Sequence, residues 1–295
     1  TQVGALTTWS KIGNGLVHTM AIKTDGTLWL WGQNVYGQLG TGNTTLRSSP
    51  VQVGALTTWS ICTGGHGHTV AVKTDGTLWT WGRNQHGQLG DGTTVSKSSP
   101  IQIGALTTWS KVVCGQNTVM AIKTDGTLWG WGQNSKGQLG DGTTVAKSSP
   151  IQVGALTTWL NVSAGRYFVI AKKTNGTLWS WGTNTEGQLL LGDVLRRSSP
   201  VQVGTLSTWE SIAGYGDGTT LATRPVQASS VMTWGRGTAG QLGDGTTASK
   251  SSPVLVGALT NWLCLAAGAN SSMTIKTDGT LWGWGYNNKG SVGDG

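Results

Sequence analysis

A tryptophan returns at a fixed period through the whole chain: Trp9, Trp59, Trp109, Trp159 and Trp209 lie 50 residues apart, and Trp262 follows 53 later. Trp-Gly pairs keep the same phase at Trp31-Gly32, Trp81-Gly82, Trp131-Gly132, Trp181-Gly182, Trp234-Gly235 and Trp284-Gly285. Self-similarity at such a period is the mark of a stacked repeat architecture, in which one unit cannot bury its own apolar face and neighbours bury it together. We therefore read residues 1–295 as a single domain of six repeats, at about 1–50, 51–100, 101–150, 151–200, 201–253 and 254–295. Ser-Ser-Pro turns at Pro50, Pro100, Pro150, Pro200 and Pro253 separate the units.

Four extended segments fit in each unit. One follows the proline (Val51-Gln52-Val53) and one begins at the tryptophan (Trp59-Ser60-Ile61-Cys62). Two more, about His68–Lys73 and Thr77–Trp81, are hairpin arms flanking Asp75-Gly76. An Asp-Gly pair between alternating apolar runs predicts a two-residue turn with positive φ. Under period-two alternation Trp79 and Trp81 share one face of the last arm, and Leu78 and Thr80 the other. Helical periodicity is absent. Four short strands per unit, six times over, predict an all-β fold: a six-bladed β-propeller of four-stranded blades. Counting strand types, Thr1–Val3 supplies the strand missing from the last unit, so the N-terminal strand is expected to close the ring; seven blades is the alternative. The chain starts and stops inside a unit, so a longer parent protein is expected, and no apolar run is long enough to span a bilayer.

Charge and chemistry narrow the function. The net charge is +8, yet the charges follow the repeat: Lys23, Lys73, Lys123, Lys173 and Lys276 stand beside Asp25, Asp75, Asp125, Asn175 and Asp278. A solvated mixed surface is the expected reading, without a basic stripe for nucleic acid. The three cysteines, Cys62, Cys114 and Cys264, cannot all pair and read as small buried side chains. His18 and His68 share a slot that Phe168 also fills, which argues against a metal ligand. The Gly-Asp-Gly-Thr-Thr loops at Asp91, Asp141 and Asp244 each offer one carboxylate, which suits a tight turn; weak calcium binding stays open. No nucleophile elbow, acid–base pair or phosphate-cradling loop is present, so we expect no enzyme, no cofactor and no metal.

The string Trp-Gly-x-Asn-x-x-Gly-Gln-Leu-Gly at 31–40, 81–90 and 131–140, with the preceding Asp-Gly-Thr-Leu-Trp, resembles the repeats of the regulator of chromosome condensation family. The resemblance covers the whole chain and implies a propeller, seven-bladed in the best-known members. Near-identical units carrying Gly-Ala-Leu-Thr-Thr-Trp look more like the bacterial and bacteriophage versions. The family includes a nucleotide-exchange factor that also binds nucleosomes, and its exchange activity depends on features outside the repeat core, including a wedge-like insertion. The one comparable extension here, Arg224–Ser230, is short. Another member absorbs ultraviolet light through clustered tryptophans; here the tryptophans occupy repeating structural slots, and packing is the expected role.

Three windows differ between otherwise similar units: before the hairpin, after Trp-Gly, and before Ser-Ser-Pro. All fall in strand connections, where change leaves the core untouched. The candidate partner-binding residues are Arg166, Tyr167, Phe168, His66, His68, Tyr215, Asp217, Tyr36, His86 and Lys136, with Arg166-Tyr167-Phe168 foremost because large aromatic and arginine side chains dominate interfaces. The expected function is a non-enzymatic binding or structural module: a phage virion component (tail fibre or capsid decoration) or a bacterial surface adhesin. It would contact protein or surface glycan through blade loops, outside the cell or on the virion surface, without nucleic acid or membrane insertion. The alternative is an intracellular, cytoplasmic protein-interaction propeller of the exchange-factor or chromatin-binding type.

Overall fold

The computed structural model describes residues 8–216, 218–224, 230–257, 261–267 and 270–287, and among them every regular element is a strand. The fold is an all-β, six-bladed propeller of antiparallel blades. The first blade consists of β1 (Trp9–Asn14), β2 (His18–Lys23), β3 (Leu28–Gly32) and β4 (Arg47–Gln52). The second consists of β5 (Trp59–Gly64), β6 (His68–Lys73), β7 (Leu78–Gly82) and β8 (Lys97–Gln102). The third, fourth and fifth repeat this pattern from Trp109, Trp159 and Ile212, and the sixth has three described strands, Trp262–Ala267, Ser271–Lys276 and Leu281–Gly285. Strands lie in sequence order within every sheet, so the fourth strand forms an outer edge. The proposed closing strand, Thr1–Val3, lies outside the described residues. The chain divides into two compact units, residues 1–134 with 145–157, and 135–144 with 158–295.

Two local expectations change. The hairpin turn is not a two-residue turn with positive φ at both positions. Lys23 N–H donates to Thr27 O (3.0 Å) and Gly26 N–H to Lys23 O (3.0 Å), leaving residues 24–26 as a three-residue connection. Only Gly26 takes positive φ, at 78°, as in a type I turn closed by a left-handed glycine. Asp25 then serves as acceptor: its Oδ1 takes Thr27 N–H at 2.9 Å and Thr27 Oγ1–H at 2.7 Å, and Thr27 Oγ1 accepts Trp29 Nε1–H at 2.9 Å. These bonds hold the carboxyl below its ordinary range.

The second change concerns Ser-Ser-Pro, which lies inside the fourth strand and not in a turn between units. In the second blade Thr80 pairs with Ile101 and Gly82 with Lys97, so Ser98, Ser99 and Pro100 all stand opposite Trp81. A bulge on an edge strand asks no ladder donor of proline. The bulge receives the preceding blade: Gly42 N–H donates to Ser98 O at 2.9 Å.

The core lies between neighbouring blades. In the first unit, Met20, Ile22, Leu28, Leu30 and Leu39 of the first blade pack with Trp59, Cys62, Ala71 and Trp81 of the second. The motif Asn-x-x-Gly-Gln-Leu-Gly serves this junction. Asn84 Oδ1 accepts Leu89 N–H (2.9 Å), while its Nδ2 donates to Thr93 O (3.1 Å) and Val95 O (3.2 Å), pinning the loop. Gln88 then presents its carbonyl to the next blade, where Trp131 Nε1–H donates to it at 3.0 Å. The same latch joins Trp81 to Gln38, Trp181 to Gln138, Trp234 to Gln188 and Trp284 to Gln241. The glycine closing the motif has to be bare: a Cβ on Gly90 would stand 2.8 Å from Trp131 Nε1, at a φ of 77°. The fourth blade breaks the rule with Leu190, the one described non-glycine residue at positive φ (59°). A left-handed leucine costs about 1–2 kcal/mol, offset by its burial in a cluster with Trp209 and Trp234.

Candidate functional site

The expectation of a solvated mixed surface fails for the repeat lysines. Lys73 Nζ sits 3.7 Å from the Trp79 ring centroid and 5.1 Å from that of Trp59. Those two rings meet edge to face at 6.1 Å. Lys123, Lys173 and Lys276 make the same cation–π contacts and are buried. Burial pulls the ammonium groups of Lys123 and Lys173 below the ordinary lysine range. These lysines belong to the scaffold.

Of the candidate contact residues, two turn inward. His68 and Phe168 are 0% and 1% exposed, so both are removed from the candidate surface. Their strands start at this slot, facing the neighbouring blade, and Phe168 joins the cluster of Ile170, Trp209 and Trp234. His18, in the same slot, has its Nε2 2.9 Å from Thr69 Oγ1. Burial lowers the imidazole of His18 to about 4, and burial, with His18 as the next contributor, lowers that of His68 to about 3. Both are neutral at physiological pH. Asp217 lies outside the described residues, as does the side chain of Tyr215.

Three of the remaining candidates come together in the first unit, around an arginine that the sequence reading left aside. Arg83, immediately after β7, places its guanidinium 5.1 Å from the Tyr36 ring centroid. Its Nη1 is 3.0 Å from His66 Nδ1, and its Nε donates to Gln85 Oε1 at 3.0 Å. Because guanidinium only donates, His66 Nδ1 accepts, and the neutral imidazole carries its proton on Nε2. Tyr36 reaches across from the first blade because Gly67 is bare: a Cβ there would lie 2.9 Å from the ring. His86 flanks the group, half-buried; burial and then the charge of Arg83 lower its imidazole from the ordinary value. The result is an arginine held by aromatic, imidazole and amide partners on strand connections of two adjacent blades.

In the second unit Arg166 stacks on Tyr167 at 5.0 Å, both half-buried. Lys136 is exposed, and its N–H is tied to Gln138 Oε1 at 2.8 Å. Arg83 had one sequence signal: it occupies the variable place in Trp-Gly-x-Asn, held elsewhere by Gln33, Gln133, Thr183, Arg236 and Tyr286.

Among the described residues no three His, Cys, Asp or Glu side chains gather as a metal group. The carboxylate of Asp91 is occupied by Thr93 N–H (3.0 Å), Asn84 Nδ2 (3.0 Å) and Lys97 Nζ (3.8 Å). Burial raises the Cys62 thiol to about 12 and that of Cys114 higher still, which leaves both as packing side chains.

Comparison with known proteins agrees with this architecture. One 43-residue stretch is 51% identical to the ultraviolet-B receptor UVR8 of Arabidopsis thaliana; it spans 15% of this chain and 10% of that receptor's length. Human WBSCR16 superposes with a TM-score of 0.85 at 21% identity, covering 98% of this chain and 79% of that one. Yeast RCC1 (Prp20), solved with Kap60 bound, gives 0.85 at 19% identity, covering 97% and 72%. A structure of Prp20p from Saccharomyces cerevisiae, described with its binding properties to Gsp1p and histones, gives 0.82 at 19%, covering 97% and 73%. At these identities the likeness carries the fold. Residues 25–72, 75–122, 125–171, 175–222 and 230–275 match the regulator of chromosome condensation (RCC1) repeat, well over half of the sequence. The chain belongs to the regulator of chromosome condensation repeat family.

Proposed function

We propose that this chain is a protein-binding propeller and that the loops of its first two blades, with Tyr36, His66, Arg83 and His86, make the contact. The observation carrying this reading is the arrangement of Arg83. Arginine and tyrosine dominate binding energy at interfaces, and a guanidinium already held by Gln85, His66 and Tyr36 loses little conformational freedom on binding. Propellers of like fold support the reading, since yeast RCC1 was solved with Kap60, and Prp20p is described with Gsp1p and histones. They favour the exchange-factor or chromatin-type alternative over the virion or adhesin role, which rests on composition, near-identity of units and resemblance to the bacteriophage-type repeats.

A photo-cross-linking residue at Gln85, with a second at the Asp75 turn as control, tests the site in extract from the native source. A single protein adduct from position 85, reduced at least tenfold by Arg83→Ala with Tyr36→Ala, is expected. A nucleotide-binding or chromatin protein in that adduct supports the alternative; a virion or cell-surface component returns the first reading and an extracellular setting. Adducts equal from both positions, or unaffected by the double substitution, overturn the assignment.

A further inference from the structure

A groove of about 650 Å³ runs between the outer strands of the first two blades. Its walls include Asn43, Arg47, Gln52, Leu56, Trp59 and Trp79. One wall is the strand β4, which among the described residues is an edge strand paired with β3. Leu56 is exposed and Trp79 half-buried, so the groove presents apolar surface beside a strand that, among the described residues, forms a sheet edge.

Its charge departs from the repeat. In the second and fifth blades the basic residue before Ser-Ser-Pro pairs with an aspartate six residues ahead of it, Lys97 with Asp91 (3.8 Å) and Lys250 with Asp244 (3.5 Å); in the fourth, where Leu191 takes that place, Arg197 pairs with Asp193 two residues further on. In the first blade the aspartate is replaced by Thr41. Asn43 is engaged within its loop, its Oδ1 accepting Thr45 N–H at 3.0 Å. Arg47 is exposed, and among the described residues no carboxylate pairs with it. One blade thus loses the internal counter-charge while keeping the cation, at the mouth of a tryptophan-lined groove, in a chain of net charge +8.

We propose that this groove receives an extended acidic segment of a partner protein, its backbone along the edge of β4 and a carboxylate on Arg47. The proposal rests on the protein-binding reading and gives the partner its chemistry. A guanidinium accepts a carboxylate in a two-pronged, directional pair, and an edge strand recognises an extended peptide through backbone hydrogen bonds while alternate side chains fill the groove. A saccharide would use the tryptophans without needing the strand edge or the lost aspartate.

The test is an NMR titration of the full chain, following the indole N–H of Trp79, assigned through Trp79→Phe. Three probes are compared at low salt: a capped pentapeptide alternating valine with glutamate, its lysine counterpart, and glucuronate. The glutamate peptide is expected to move the Trp79 signal and the lysine peptide to leave it in place. Arg47→Ala should weaken binding about tenfold or more. Thr41→Asp should do the same with the fold intact, because it rebuilds the pair already present in the second blade. No response to the glutamate peptide, equal affinity in Thr41→Asp, or a response to glucuronate alone each overturns the proposal. Groove binding with a failed Gln85 adduct condemns the loop face only; the reverse condemns the groove only.

Discussion

The second and fifth blades show which parts of the repeat are separable. The second carries Trp59, Trp79 and Trp81 with Lys73 on the first two rings. In the fifth, Met232 stands where Trp79 does, Arg224 replaces the lysine, and residues 225–229 replace the Thr-Asp-Gly turn. Its first strand shortens to Ile212–Tyr215. The latch nevertheless survives: Trp234 is buried, meets Trp209 at 6.0 Å, and donates to Gln188 O at 3.0 Å. The Trp–Gln latch between blades is therefore kept where the lysine–tryptophan sandwich within a blade is dispensed with. A blade can lose a contact inside its own sheet, but losing the latch opens a buried seam with a neighbour.

If the latch is the shared device, Trp81→Ala and Trp234→Ala should cost alike, about 3–5 kcal/mol each by denaturant unfolding, the range for deleting a large buried aromatic. A cost in the fifth blade well below that in the second would break the comparison.

Acid should separate the two blades next. The slot of buried, neutral His68 holds Thr219 in the fifth blade. His18 and His68 are held at about 4 and about 3, below their unfolded value. As pH falls below about 6.5 the unfolded chain takes up protons that the fold refuses, so stability drops by about 1.4 kcal/mol per histidine and pH unit until the folded values are reached. His68→Phe, which copies the fourth blade, should remove about half of that slope in melts between pH 6.5 and about 4. An unchanged slope would show that His68 does not drive it.

Trp79→Met, which copies the fifth blade into the second, should cost about 2 kcal/mol, the sum of one aromatic pair and one cation–π contact. Lys73→Met should cost about 1 kcal/mol by the same measurement, since only the cation is lost. A Trp79→Met cost equal to that of Trp81→Ala would mean that sandwich and latch are one unit. Lys136→Ala and Glu186→Ala, on the loops, should each stay under about 0.5 kcal/mol.

The candidate site was half legible. Tyr36, His66 and His86 stood out because they vary within units that are otherwise near copies, and loop variation leaves the core alone. Phe168 and His68 stood out equally and are buried, because a variable window ends where the next strand starts, and only packing decides whether that first side chain faces in or out. Arg83 did not stand out, since nothing in a sequence says that Tyr36, on the previous blade, will lie beneath it.

The sequence by itself determined the six-fold repeat, the all-β class, the four strands of each of the first five blades and the hairpin between their middle arms. Period and alternation are local properties, and they settle which face of a strand is apolar. Tertiary structure decided what each face meets. A backbone carbonyl such as that of Gln88 has no sequence signature as an acceptor, yet it fixes Trp131 of the next blade. Lys73 reads as a surface charge until Trp59 and Trp79 close around it. Ser-Ser-Pro reads as a turn until the preceding blade's loop bonds to its bulge. In each case the deciding partner lies on another strand or another blade, where twist and blade spacing, and not residue identity, set which groups come within reach.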